Sequence, residues 1–122
     1  KTDAGLFPAI MQGIRANPQY GARHKAIITE AGLARAHLHT GDNAGDVGWL
    51  NAVEPLPQED YWKSLAWYND LLRQHDTLVL GACLYQVGWT DDWKSFRLLG
   101  EDNQGRRIEI MDWIADPTQA PR

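Results

Sequence analysis

The sequence predicts an α/β unit with parallel strands, on three observations. Two short apolar runs, "AIIT" at 26–29 and "LVLGACLYQ" at 78–86, have the composition of strands buried on both faces. A helical repeat of apolar residues precedes each run. The resulting order of helix, strand, long loop, helix, strand, loop, helix is the alternation that produces parallel strands.

The first helix is predicted over 4–17, "AGLFPAIMQGIRAN". Leu6, Ile10 and Ile14 recur at helical spacing with Phe7 and Met11 alongside, Asp3 is placed to cap the start, and Asn17-Pro18 is a stop. The loop "PQYGARHK" leads into the first strand. Residues 31–57 form a connection rich in Gly, Asp, Asn and Pro, about twice the usual upper length for a loop, which marks it as functional or partly structured. The clearest helix is "PQEDYWKSLAWYNDLLRQH": Pro57 suits its first turn, Glu59 and Asp60 suit the positive end of its dipole, and Tyr61, Leu65, Tyr68 and Leu72 line one face. In the second strand, Gly81 and Ala82 leave room for close packing against the backbone. A loop turning at Asn103-Gln-Gly, a short helix in "IEIMDWI" and a tail over 115–122 complete the chain. Two parallel strands need neighbours on both sides, so the chain reads as a single partial domain, residues 1–122, of something larger.

Composition narrows the function. With 122 residues and a net charge of −4, the chain is at most one domain and lacks the basic face that nucleic acid requires. No apolar run approaches the roughly 20 residues of a membrane span. The start, "KTDAGLF", shows no signal peptide and reads as a cut or boundary. The single Cys83 excludes an internal disulfide and leaves the compartment open, secretion included; mid-strand among apolar neighbours, it reads as an inert core thiol. Six tryptophans are several times the usual share, and tryptophan concentrates in cores and in flat ligand-stacking sites.

The string "ITEAG", with Glu30 at the exit of an apolar strand, resembles the seventh-strand motif of retaining glycoside hydrolases built on a (β/α)8 barrel. "YWKSLAWYNDLLRQHDTLVLGACLYQVGWTDDWKSF" is similar to the seventh helix and eighth strand of such enzymes, and together the two cover about residues 5–114. The resemblance implies the C-terminal portion of a TIM barrel, about strands 7–8 with flanking helices. It also implies a carbohydrate substrate and a partner in the remainder of the barrel, either an N-terminal segment or another chain. The family's second carboxylate usually lies after the fourth strand, in an Asn-Glu motif that has no match here, so the resemblance implies that it lies outside this chain.

On that resemblance Glu30 is the candidate nucleophile. Barrel enzymes place catalytic residues at the carboxyl ends of strands, and retention needs two carboxyl groups about 5–5.5 Å apart. The alternative is a structural glutamate, paired with an arginine or capping a loop. Trp89, Trp49 and Trp93 are candidate sugar-stacking residues, since an indole covers the apolar face of a sugar while its N–H still donates; the alternative is loop packing. Trp62, Trp67 and Trp113, on helices, read as packing residues. His37 and His39, with Asp42 and Asp46, have the look of a metal site but lack a third ligand of known spacing, so they are assigned to hydrogen bonding at the cleft rim. Asp91 and Asp92 read as an acidic turn or as partners of substrate hydroxyls. No phosphate-cradling glycine loop, Ser-His-Asp set or basic aromatic strip is present, so no metal or cofactor is expected. The expected activity is hydrolysis of a glycosidic bond with retention. The competing readings are a carbohydrate-binding or scaffold protein without catalysis, and an independent small α/β domain unrelated to sugars.

Overall fold

The computed structural model describes residues 7–21, 23–35, 47–74, 78–88 and 91–122. The elements are α1 (Phe7–Ala16), α2 (Pro18–Gly21), β1 (Ala26–Ala31), α3 (Gln58–Arg73), β2 (Val79–Leu84) and α4 (Ile110–Ala115), with 3₁₀ segments at Asp91–Phe96 and Pro117–Gln119. β1 and β2 pair in parallel, with Ala26 opposite Val79 and Ala31 opposite Leu84. The pairing continues past the strands: the Tyr85 amide donates to the Ala31 carbonyl at 2.7 Å.

The expected alternation of helices and parallel strands agrees with this order; the barrel does not. A (β/α)8 barrel closes eight parallel strands in about 250 residues. The described chain has two, in one two-stranded sheet. The physical reason for the correction lies in the segments that follow the strands. They turn inward and build a core of their own from Trp49, Leu50, Tyr61, Leu98, Ile108, Ile110 and Trp113. A second, smaller core joins Met11, Leu72, Leu78 and Val79 at the other end.

α3 spans both cores, because its apolar stripe runs its whole length. Tyr61 near its start enters the larger core and Leu72 near its end enters the smaller, with Leu65 and Tyr68 half-buried between. Pro57 sits at the N-cap, one position before the expected first turn, and its carbonyl accepts from the Asp60 and Tyr61 amides, both at 3.0 Å. The buried Gln58 side chain ties the helix start to the C-terminal segment. Its Oε1 accepts from the Glu109 amide at 2.9 Å, and its Nε2 donates to the Arg107 carbonyl.

The two strands are not buried on both faces. Ile27 is 58% exposed and Leu80 65% exposed, so apolar side chains of both strands face solvent. Cys83 is exposed as well, which corrects its reading as a core thiol. Residues 115–122 are more than a tail. Asp116 caps the last 3₁₀ turn by accepting from the Thr118 amide, and Ala120 packs on the larger core.

The loop segment at 47–56 is held by polar groups as much as by apolar ones. The wholly buried Asn51 side chain accepts from the Val53 and Glu54 amides and donates to the Gly48 and Glu54 carbonyls, which satisfies the loop backbone from within. Gly48 lies against Ser95 so closely that a Cβ would overlap the Ser95 carbonyl. Gly48→Ala should therefore destabilise the fold by about 1–3 kcal/mol in urea unfolding, whereas Gly81→Ala, where a Cβ meets open space, should not.

Asp102 anchors the turn at 102–106, where Gly105 adopts φ 75°. Burial alone would push the Asp102 carboxyl up. The amides of Arg106 and Gln104 and the Arg106 guanidinium outweigh it and hold the group below the ordinary aspartate value. A folded-state value lowered in this way stabilises the protein above the unfolded value, and that stability is lost as pH falls through the folded one. Acidification below about pH 4 should lower the urea midpoint, and Asp102→Asn should be less stable at pH 7 but show a flatter acid dependence.

Candidate functional site

In parallel α/β structures ligands bind beyond the carboxyl ends of the strands. Here those ends belong to β1 and β2, and they bring Glu30, Gly32 and Tyr85 to one rim. Glu30 is exposed, one residue before the end of β1, and its carboxylate forms no ion pair with a described residue. The arginine nearest after it, Arg35, is already engaged: its guanidinium pairs with the Glu54 carboxylate and donates to the Glu54 carbonyl at 3.1 Å. An arginine pairing of Glu30, the structural alternative, is therefore not what this arm of the chain provides.

The chain after β2 supplies the aromatic part of the rim. Tyr85 meets Trp93 edge-on at 6.1 Å and Phe96 edge-on at 5.5 Å, and Trp93 lies 5.9 Å from Phe96. This arrangement forms because the 3₁₀ segment at 91–96 folds back on residues 85–86. The Gln86 amide donates to the Phe96 carbonyl, the Leu98 amide to the Gln86 carbonyl at 3.1 Å, and the Gln86 side chain to the Trp93 carbonyl at 3.0 Å. The chain kinks at Trp93, whose φ and ψ are not helical. Trp93 as a whole stays 39% exposed. Asp91 and Asp92 begin the same segment and are exposed.

Trp49 is placed elsewhere. Its ring is fully buried and lies parallel to Tyr61 at 4.8 Å, and its Nε1–H donates to the Arg97 carbonyl at 3.1 Å. With both the face and the N–H committed inside the core, Trp49 is a packing residue, and its reading as a sugar-stacking ring is corrected. Trp113 is buried and meets Trp62 edge-on at 5.9 Å, as helix packing requires, but Trp67 is largely exposed. Trp89, His37, His39, Asp42 and Asp46 lie outside the described residues. Among the described residues no group of three or more His, Cys, Asp or Glu is placed to hold a metal ion.

Two features escaped the sequence reading. One is an apolar groove of about 420 Å³ along the flank between α3 and β2, lined by Trp62, Leu65, Tyr68, Leu84 and Ile114 with Gly81 and Ala82 among the lining residues. Glu30 takes no part in it. The small residues of β2 were its only sequence signal. The other is Tyr61, whose hydroxyl is buried without a hydrogen-bond partner among the described residues, below the end of β1. Its place in a helical apolar stripe concealed it.

No family model, curated protein or solved structure matches the chain. No helix among the described residues is long and apolar enough to cross a membrane.

The exposure of Cys83 on β2 gives a direct check of the open strand pair. In native buffer the thiol should react with a colorimetric disulfide reagent at a rate close to that of the unfolded chain. Labelling that appears only in denaturant would show that this part of the strand is covered.

Proposed function

We propose that this chain binds carbohydrate at the carboxyl rim of the β1–β2 pair and that Glu30 is the nucleophile for hydrolysis of a glycosidic bond with retention. The observation that carries the reading is the placement of an exposed carboxylate, in no ion pair with a described residue, on the same rim as a part-exposed tryptophan. A nucleophilic carboxylate must reach the anomeric carbon, so at least one of its oxygens has to be open to the substrate. An indole beside it supplies the flat apolar surface that a pyranose covers with its C–H face. The resemblance of "ITEAG" to the nucleophile strand of retaining glycoside hydrolases supports the same assignment.

In the first step a Glu30 carboxylate oxygen attacks the anomeric carbon, the bond to the leaving oxygen breaks, and an acid on the opposite face gives that oxygen its proton. Water then attacks the glycosyl ester, the same acid acting as base, and Glu30 is released as carboxylate. The proton-transfer partner must lie about 5–5.5 Å from Glu30.

Glu30→Gln keeps the shape of the side chain and removes its charge. In the native protein that carries this chain, the variant should lose turnover by orders of magnitude while glycan binding survives. Trp93→Ala should act in the opposite sense, weakening glycan affinity by about 1–3 kcal/mol with the fold intact. Full activity in the Gln variant would make Glu30 structural. Binding without any hydrolysis by the wild type would leave a carbohydrate-binding protein.

A further inference from the structure

Three hydrogen bonds converge on Gln86, the second residue after β2. Its amide donates to the Phe96 carbonyl at 3.3 Å, its carbonyl accepts from the Leu98 amide at 3.1 Å, and its side-chain Nε2 donates to the Trp93 carbonyl at 3.0 Å. The first two are backbone bonds that any residue with an amide N–H could make there. The third belongs to the side chain, and of the three only it is specific to glutamine.

What the third bond holds is the residue at which the chain bends. Trp93 has φ −123° and ψ 15°, outside the helical range, within the 3₁₀ segment. At such a break no continuous ladder of i to i+3 bonds fixes the backbone. The Gln86 side chain fixes it instead, from seven residues away. The indole hangs from the same Cα, so a turn of the Trp93 backbone would swing the ring. As held, the ring stands at 86° to Tyr85 and at 52° to Phe96. Phe96 is buried, and the Tyr85 amide is bonded to the Ala31 carbonyl at the end of β1. The indole is thereby set against the end of the sheet that carries Glu30.

We propose that Gln86 is a positioning residue of the carbohydrate site, its side-chain amide fixing the Trp93 backbone and thereby the orientation in which the indole meets a sugar on the Glu30 rim. This rests on the carbohydrate reading above and deepens it. Gln86 acts through Trp93, because its donor is turned to the Trp93 carbonyl. A ring that is already oriented spares binding the cost of ordering it. The bond itself is solvent-exposed and neutral, so it contributes little to the stability of the whole fold. Its loss should therefore be felt in affinity far more than in unfolding.

The experiment is a double-mutant cycle between Gln86→Met and Trp93→Ala in the native protein. It is read by calorimetric titration with cellotetraose, xylotetraose, mannotetraose and laminaritetraose, alongside thermal unfolding. Methionine keeps the length of the side chain and removes the donor. Gln86→Met is expected to bind the preferred oligosaccharide about three- to tenfold more weakly than the wild type, with its thermal midpoint little changed. In the Trp93→Ala background the same substitution is expected to have no further effect. Labelling with 5-fluorotryptophan gives a second reading without sugar: the resonance missing from Trp93→Ala should shift or broaden in Gln86→Met while the other tryptophan resonances hold. The proposal is overturned, with the carbohydrate reading left standing, by unchanged affinity in either single variant or by equal weakening in both backgrounds. An unmoved Trp93 resonance, or an affinity loss in Gln86→Met that tracks a fallen midpoint, overturns it in the same way. A wild type that binds none of the four oligosaccharides overturns both.

Discussion

The parallel stack of Trp49 on Tyr61 is the contact on which the rest of the larger core depends. Trp49 comes from the loop before α3 and Tyr61 from the first turn of that helix. The indole N–H reaches the Arg97 carbonyl, 48 residues further on, so one side chain ties the loop, the helix start and the segment after β2 together. Each of these must be in place before the rim exists. The segment after β2 carries Trp93 and Phe96 back over Tyr85. The ring of Tyr61 sets the depth at which its hydroxyl lies under Gly32. A large aromatic pair suits this task, because it brings wide contact area with few rotatable bonds and holds segments that have no regular hydrogen-bond ladder between them.

The polar part of the same region solves a different problem. A loop turned into a core must satisfy its backbone, or lose more than its apolar contacts return. Asn51 does this locally with four bonds, and Asn103 adds two long-range ones, donating to the Leu50 carbonyl at 2.8 Å and the Asn51 carbonyl at 3.2 Å. The opposite holds at β1 and β2, where Ile27 and Leu80 are left facing solvent. The protein is thus tightly determined around the strand ends and open along the strands themselves.

The parts of the fold legible in the sequence were those set by local periodicity. The repeat of Tyr61, Leu65, Tyr68 and Leu72 located α3, and the apolar runs located β1 and β2 and their parallel sense. What failed was the barrel that the resemblance of "ITEAG" and the α3–β2 string implied, and with it the expectation of strands buried on both faces, because an apolar run looks alike whether it is buried on two faces or on one. Trp49 was misread for a related reason. An indole between glycine and leucine in a long loop looks like a rim aromatic, and only the distant contacts with Tyr61 and Arg97 make it a core residue. Glu30 and Trp93 reach the same rim because parallel strands bring their carboxyl ends together, a consequence of topology that the alternation of elements already implied. The buried Tyr61 hydroxyl was invisible, since a tyrosine on a helical stripe carries no sign of what covers its oxygen.

The central claim is that Glu30 attacks the anomeric carbon of a bound sugar. It is tested most directly by incubating the native protein with a mechanism-based 2-fluoro glycoside and locating the adduct by mass spectrometry. The account predicts a glycosyl ester on the peptide spanning residues 25–35, at Glu30, and its absence in Glu30→Gln. Label on any other carboxylate, with Glu30 unmodified, would contradict it.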